Sequence, residues 1–219
     1  MKHYLLLGAL MFAGFGSQAS ITAAAGTGNI LSAGSGVGYT ADFFGDATLV
    51  VHGWDEKQSF TLSANLAVDI TTTGSFASPA SLTPGFIPAD TLVNSHSFYF
   101  DPATGGSTVA GFQFDGTIIG VILDDMATPT DPFVASDFLI PASVPAANIP
   151  GGHFNNRGLE LGANTDHLTV SANTLTLFLS AGSPGDQVRV LTLAPEPGIA
   201  AFSFIAIITS LVARRRFWG

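Results

Sequence analysis

Hydrophobic residues in the middle of the chain recur at every second position, not every third or fourth. Phe60, Leu62, Ala64, Leu66 and Val68 alternate with Ser59, Thr61, Ser63, Asn65 and Ala67, a period that turns one side of a strand inward and the other outward. Similar spacing predicts strands over Ala47–His52, Ser59–Val68, His96–Phe100, Val109–Phe114, Asp166–Val170, Thr174–Leu179 and Gln187–Leu193, with a short one at Thr91–Val93. Thr117–Leu123 is a nearly continuous β-branched run, which predicts a strand covered on both faces. Gly53–Lys57 has the composition of a polar turn, Asp115-Gly116 is a type I′ hairpin signal, and Ser171–Asn173 and Ser183–Asp186 are turn sequences. Thr71–Asn94 and Met126–Gly152, the second with Pro129, Pro132, Pro141, Pro145 and Pro150, are expected to be long loops, with one helical turn at Ser136–Leu139. No stretch keeps a helical period over three turns. About eight to ten short strands with long loops predict an all-β fold, a jelly-roll-like β-sandwich over residues 39–194. An immunoglobulin-like sandwich is the second choice and lacks its Cys…Trp…Cys signature.

Both chain ends depart from this pattern. Lys2 and His3 precede an apolar run, Tyr4–Phe15, and the small-residue site Ser17-Gln18-Ala19, which together predict a secretory signal peptide over residues 1–19 and a mature start at Ser20. Ser20–Gly38 is rich in Gly, Ala and Ser; it lacks the spacing and the closing Lys of a phosphate loop and is expected to be a flexible entry segment. At the other end Pro195-Glu196-Pro197 is followed by an apolar run, Ile199–Ala213, and then by Arg214-Arg215-Arg216. Such a run partitions into hydrocarbon, where the backbone must satisfy its own hydrogen bonds, so a transmembrane helix is expected over residues 198–213. The prolines place its start after Pro197. About sixteen residues at roughly 1.5 Å each span about 24 Å, short of a core of about 30 Å. Snorkelling arginines and local thinning of the bilayer accommodate that difference. Three arginines at one end favour a cytoplasmic location for it, with the rest of the chain across the membrane.

The ordered combination of Pro195-Glu196-Pro197, apolar helix and Arg214–Arg216 resembles the PEP-CTERM sorting signal of Gram-negative bacteria. That resemblance covers about a tenth of the chain. It implies recognition by exosortase, a membrane transpeptidase-like enzyme, processing near the Pro-Glu-Pro motif, and passage through the inner membrane to the cell surface or the exopolysaccharide matrix.

Composition sharpens this picture in two respects. The chain has 219 residues with a formal net charge of −9 and no cysteine. Removing the two end segments leaves Lys57, Arg157 and Arg189 as the basic residues of the mature domain, against fifteen acidic ones. Such a surface repels nucleic-acid phosphates and anionic lipid. The absence of cysteine removes thiol redox and thiolate–metal chemistry, and an exported domain of this size needs no disulfides.

Candidate chemistry is sparse. His52, His96, His153 and His167 lack metal-binding spacing, and no Gly-x-Ser-x-Gly elbow is present. Asp124, Asp125 and Glu160 are candidate calcium ligands, because loop carboxylates and carbonyls supply the six to eight oxygens that the ion takes. Asp131, Asp137 and Asp166 lie near them in the sequence. A glycosidase needs two carboxylates held in a cleft, which a Glu-poor domain does not signal. Arg157 and Glu160 form a candidate structural pair near a turn. Trp54 is either a platform for a sugar ring or a packing residue. The expectation is therefore an exported, non-enzymatic β-sandwich protein with a structural or adhesive role at the surface or in the matrix, with polysaccharide as a candidate partner. A secreted hydrolase acting on extracellular polymer is the alternative.

Overall fold

The computed structural model describes residues 20–34, 36–40, 43–123, 132–149, 158–159, 161–162, 166–181 and 185–194, all within one compact unit, Gln18–Ala194. The predicted signal peptide and the sorting tail lie outside the described residues. Among the described residues no helix is long and apolar enough to cross a membrane. The fold is all-β, as expected. Its strands are β1 Ile21–Gly26, β2 Gly28–Leu31, β3 Val51–Asp55, β4 Phe60–Thr61, β5 Leu66–Val68, β6 Gly74–Phe76, β7 Gly85–Ile87, β8 Leu92–Phe100, β9 Gly106–Phe114, β10 Ile118–Ile122, β11 His167–Val170, β12 Thr174–Ala181 and β13 Asp186–Leu193. One short helix, α1, covers Pro132–Ala135 and is followed by a 3₁₀ turn at Asp137–Leu139, where the sequence predicts a helical turn.

Five strands form one sheet in the order β1-β9-β12-β11-β6, and β10-β13-β8-β3-β2 form a second, with β4 added beside β8. The two sheets share a core: Phe112 and Phe114 of β9 and Leu175 and Leu177 of β12 cluster with Phe98 and Phe100 of β8 and Val188 and Val190 of β13. The three central strands of the five-stranded sheet, β9, β12 and β11, alternate cleanly. On β12 Leu175, Leu177, Leu179 and Ala181 are buried, while Thr174, Thr176, Phe178 and Ser180 are only partly covered. The six-stranded sheet does not alternate. Its central strands β8 and β13 are buried along almost their whole length, because a second layer covers their outer face. That layer contains Phe133 and Leu139 with the β5–β7 pair, and Val37, Tyr39, Ile140 and Val144 around Trp54 and Tyr99. Thr117–Leu123 contains β10, which joins the shared core through Val121 and the outer layer through Ile122, so its expected double coverage is observed.

Several expectations are corrected. Ser20–Gly38 holds β1 and β2 and is not merely a flexible entry. Its small residues serve close approach: a Cβ on Gly26, whose φ is +65°, would lie 2.4 Å from the Val109 carbonyl oxygen. Asp115-Gly116 does not close a hairpin, since neither residue takes the positive φ that a type I′ turn requires. Instead the chain crosses there from the five-stranded sheet (β9) to the six-stranded one (β10). Ser59–Val68 is divided between β4 and β5, which belong to different sheets. Thr71–Asn94, expected to be a loop, contains β6 and β7 and enters β8. Gly53–Lys57 is not a turn, because its first three residues complete β3.

Candidate functional site

Among the described residues, two fully buried polar side chains, Arg189 and His96, and one open face stand out. The first is Arg189, an arginine within the apolar run of β13. Its neighbours Val188 and Val190 face the shared core, so the alternation sends Arg189 outward, beneath the covering layer, where it is fully buried. Nε and Nη2 donate to the two carboxylate oxygens of Glu56, each at 2.9 Å. Nη1 donates to the Phe133 carbonyl at 3.3 Å and to the Ser136 hydroxyl, and Nη2 reaches Asp137 at 3.4 Å. Ser95 donates its hydroxyl to Glu56. Burial pulls the guanidinium pKa down, but the Glu56 and Asp137 carboxylates more than offset this and hold it above its ordinary value. This bidentate pair ties β13 to β3 and to α1. It leaves no free valence for catalysis.

The second point is His96, also fully buried. Its Nδ1 lies 2.7 Å from Asp55 and its Nε2 lies 3.1 Å from the Thr192 hydroxyl. The order carboxylate, imidazole, hydroxyl imitates a nucleophilic triad. The imidazole and the hydroxyl are nevertheless walled in, and only the Asp55 carboxylate, its side chain 33% exposed, meets solvent. Thr192 is 0% exposed, and the His96 ring packs at 4.8 Å from Phe114. His52, by contrast, pairs with Asp46, accepts or donates to Asn29, and stacks on Phe44 at 4.2 Å. His96 thus links the central strand β8 to β3 and β13, and His52 links β3 to the edge strand β2.

Trp54 is 0% exposed; no sugar ring can reach it. Its Nε1 donates to the Tyr39 hydroxyl at 2.8 Å, and the two rings meet edge to face at 5.4 Å. Burial, with the Glu56 carboxylate nearby, pushes the Tyr39 phenol well above its ordinary value.

The open point lies on the outer face of the five-stranded sheet. Ser107, Thr108 and Val109 of β9, His167 of β11, and Phe178 and Leu179 of β12 line a shallow depression of about 230 Å³. Cross-strand pairing sets Phe178 between His167 and Val109. The His167 and Phe178 rings stack 4.0 Å apart at 12°, and Val109 is 47% exposed. The next outward row runs Ser75, Thr169, Thr176, Gly111, Ala25 across all five strands. Hydroxyl pairs Ser75–Thr169 and Ser107–Ser180, each at 2.9 Å, fix these small side chains to one another.

Of the residues singled out from sequence, Asp124, Asp125 and Glu160 lie outside the described residues, as do Arg157, Pro195–Pro197 and Arg214–Arg216. The residues just before two of these segments are joined: the Leu159 amide donates to the Leu123 carbonyl at 2.8 Å. Among the described residues no group of three or more His, Asp or Glu side chains is arranged to hold a metal ion. The sequence does not announce the Arg189–Glu56 pair, though an arginine flanked by valines in a strand is a signal for a buried partner. Phe178, at an outward position of an otherwise Thr- and Ser-bearing face, is the corresponding signal for the open site. Compared with family models, with curated proteins and with solved structures, the chain matches none.

Proposed function

We propose that this chain is an exported protein of a Gram-negative bacterium, delivered by its C-terminal signal to the cell surface or extracellular matrix, where it acts as a structural or adhesive component. The single observation that carries this is the ordered tail: Pro195-Glu196-Pro197, the apolar run Ile199–Ala213, and Arg214–Arg216. Exosortase is the processing partner that the resemblance implies. The domain between the ends is proposed to be a jelly-roll-like β-sandwich. Support comes from the two sheets with a shared core and from the chain's passage between sheets after β1, β8, β9, β10 and β12. A non-enzymatic role is favoured because His96 and Thr192 of the triad-like string are shut away from solvent, which only Asp55 meets, and the Arg189 cluster saturates its own donors. The open face of the five-stranded sheet supports an adhesive role toward polysaccharide. Calcium at Asp124, Asp125 and Glu160 remains part of the proposal.

The test is fractionation of cells producing either the full chain or a version ending at Ala194. The full chain is expected in the surface fraction, and the truncated one in the periplasm or medium. Equal surface retention of both removes the sorting role of the tail.

A further inference from the structure

We propose that the outer face of the five-stranded sheet, centred on Phe178, His167 and Val109, binds an uncharged polysaccharide; this rests on the export of the domain proposed above.

Charge is the first ground. None of the five strands of this sheet contains Asp, Glu, Lys or Arg, although the chain as a whole carries sixteen acidic residues and a formal charge of −9. An anionic polymer approaching this face meets the repulsive field of the surrounding protein, and the strands themselves hold no Lys or Arg to receive it. A cationic polymer finds no carboxylate on the strands. A neutral partner meets neither obstacle.

The second ground is the chemistry of the side chains. The outward rows offer hydroxyls from Ser75, Thr169, Thr176, Ser107 and Ser180, and hydroxyls both donate and accept. They can exchange their mutual hydrogen bonds for bonds to sugar hydroxyls without leaving a buried charge. Beside them stands an apolar step, Phe178 with Val109, backed by the stacked His167 ring. A sugar ring presents the same two characters, an apolar C–H face and a hydroxyl rim. Ligand sites commonly combine an apolar floor with a few placed polar groups.

Shape is the third. Neighbouring strands lie about 4.8 Å apart, so the row from Ser75 to Ala25 forms a band about 19 Å long. Nothing large projects from it. At Gly111, next to the Ala25 end of the band, an added Cβ would touch only the Ala25 methyl, at 3.7 Å; the space above is open. An extended polymer can lie across several strands with one ring at the Phe178 step. The six-stranded sheet offers no comparable surface, because Trp54, Tyr99, Leu191 and Ile122 on its outer side are covered.

The experiment uses the full chain in mild detergent. Co-sedimentation is measured with three insoluble uncharged polymers (cellulose, chitin and starch granules) and with alginate beads as the anionic control. Wild type is expected to sediment with at least one uncharged polymer and not with alginate. Phe178→Ala, which removes the ring, and Val109→Glu, which places a charge on the face at an exposed position, should each weaken that binding by about tenfold or more. Melting temperatures recorded alongside should stay near that of wild type. No retention by any uncharged polymer overturns the proposal. So does undiminished binding by both variants, or preference for alginate. Surface delivery without polymer binding defeats this inference alone, whereas polymer binding by a chain that never reaches the surface defeats the export proposal alone.

Discussion

Arg189→Met lowers the unfolding free energy by about 3–5 kcal/mol, read from chemical denaturation at neutral pH, because it strands the Glu56 carboxylate in the interior. Both partners of this pair are 0% exposed at their side chains. Removing the guanidinium also deprives Ser136, Asp137 and the Phe133 carbonyl of a shared donor. Desolvating two charges is itself costly, and the pair repays that cost only through its geometry. The double variant Arg189→Met with Glu56→Leu should therefore recover most of the loss, and its strong departure from additivity identifies the stranded charge as the cause. If the single variant unfolds within about 0.5 kcal/mol of wild type, as surface changes do, then Arg189 is not buried.

Trp54→Ala is the second large loss, again about 3–5 kcal/mol. The indole fills the outer layer with Val37, Tyr39, Tyr99, Ile140 and Val144, and no rearrangement of the β3 backbone can close the hole while Gly53 sits against Phe98. A Cβ at Gly53 would lie only 2.7 Å from that ring, so the backbone there is already at contact. A residue in a polar turn would cost little when truncated, which makes this substitution a sharp test of the strand assignment. Tyr39 adds a pH dependence to the same pocket. Its folded-state pKa is raised by burial, so its contribution to stability is complete below about pH 10 and is lost as pH climbs through the folded-state value. Melts of wild type and Tyr39→Phe between about pH 8 and pH 11 should show the steeper alkaline decline in wild type.

The contrast between the two sheets explains what could be read in the chain beforehand. Strands β9, β11 and β12 expose one face, so their residues alternate, and their positions were legible to within three residues. Gly106–Phe114 extends the predicted Val109–Phe114 by only three residues. Strands β3, β8 and β13 are covered on both faces, and burial there selects residues for two environments at once. Asn94, Ser95 and Ser97 on β8 are polar yet buried, which makes one nine-residue strand read as two pieces, Thr91–Val93 and His96–Phe100. Gly53-Trp54-Asp55-Glu56-Lys57 reads as a turn because Gly and charged residues dominate it. In the fold the glycine makes room for Phe98, the tryptophan fills the outer layer, and the glutamate meets an arginine 133 residues away. No local pattern encodes a partner at that separation. Of its two readings, Trp54 takes the packing one, whereas the surroundings of Phe178 are set by the strands that flank it and do not show in the local sequence. The hairpin signal at Asp115-Gly116 failed because the chain changes sheets there, and turn composition does not distinguish reversal within a sheet from a crossing between two.

The proposed delivery of this acidic domain to the cell exterior requires both ends to be removable. The direct measurement is the intact mass of the protein recovered from the surface fraction. The predicted species begins at Ser20 and terminates within Pro195-Glu196-Pro197. A surface-bound species that still extends to Gly219 contradicts the proposal.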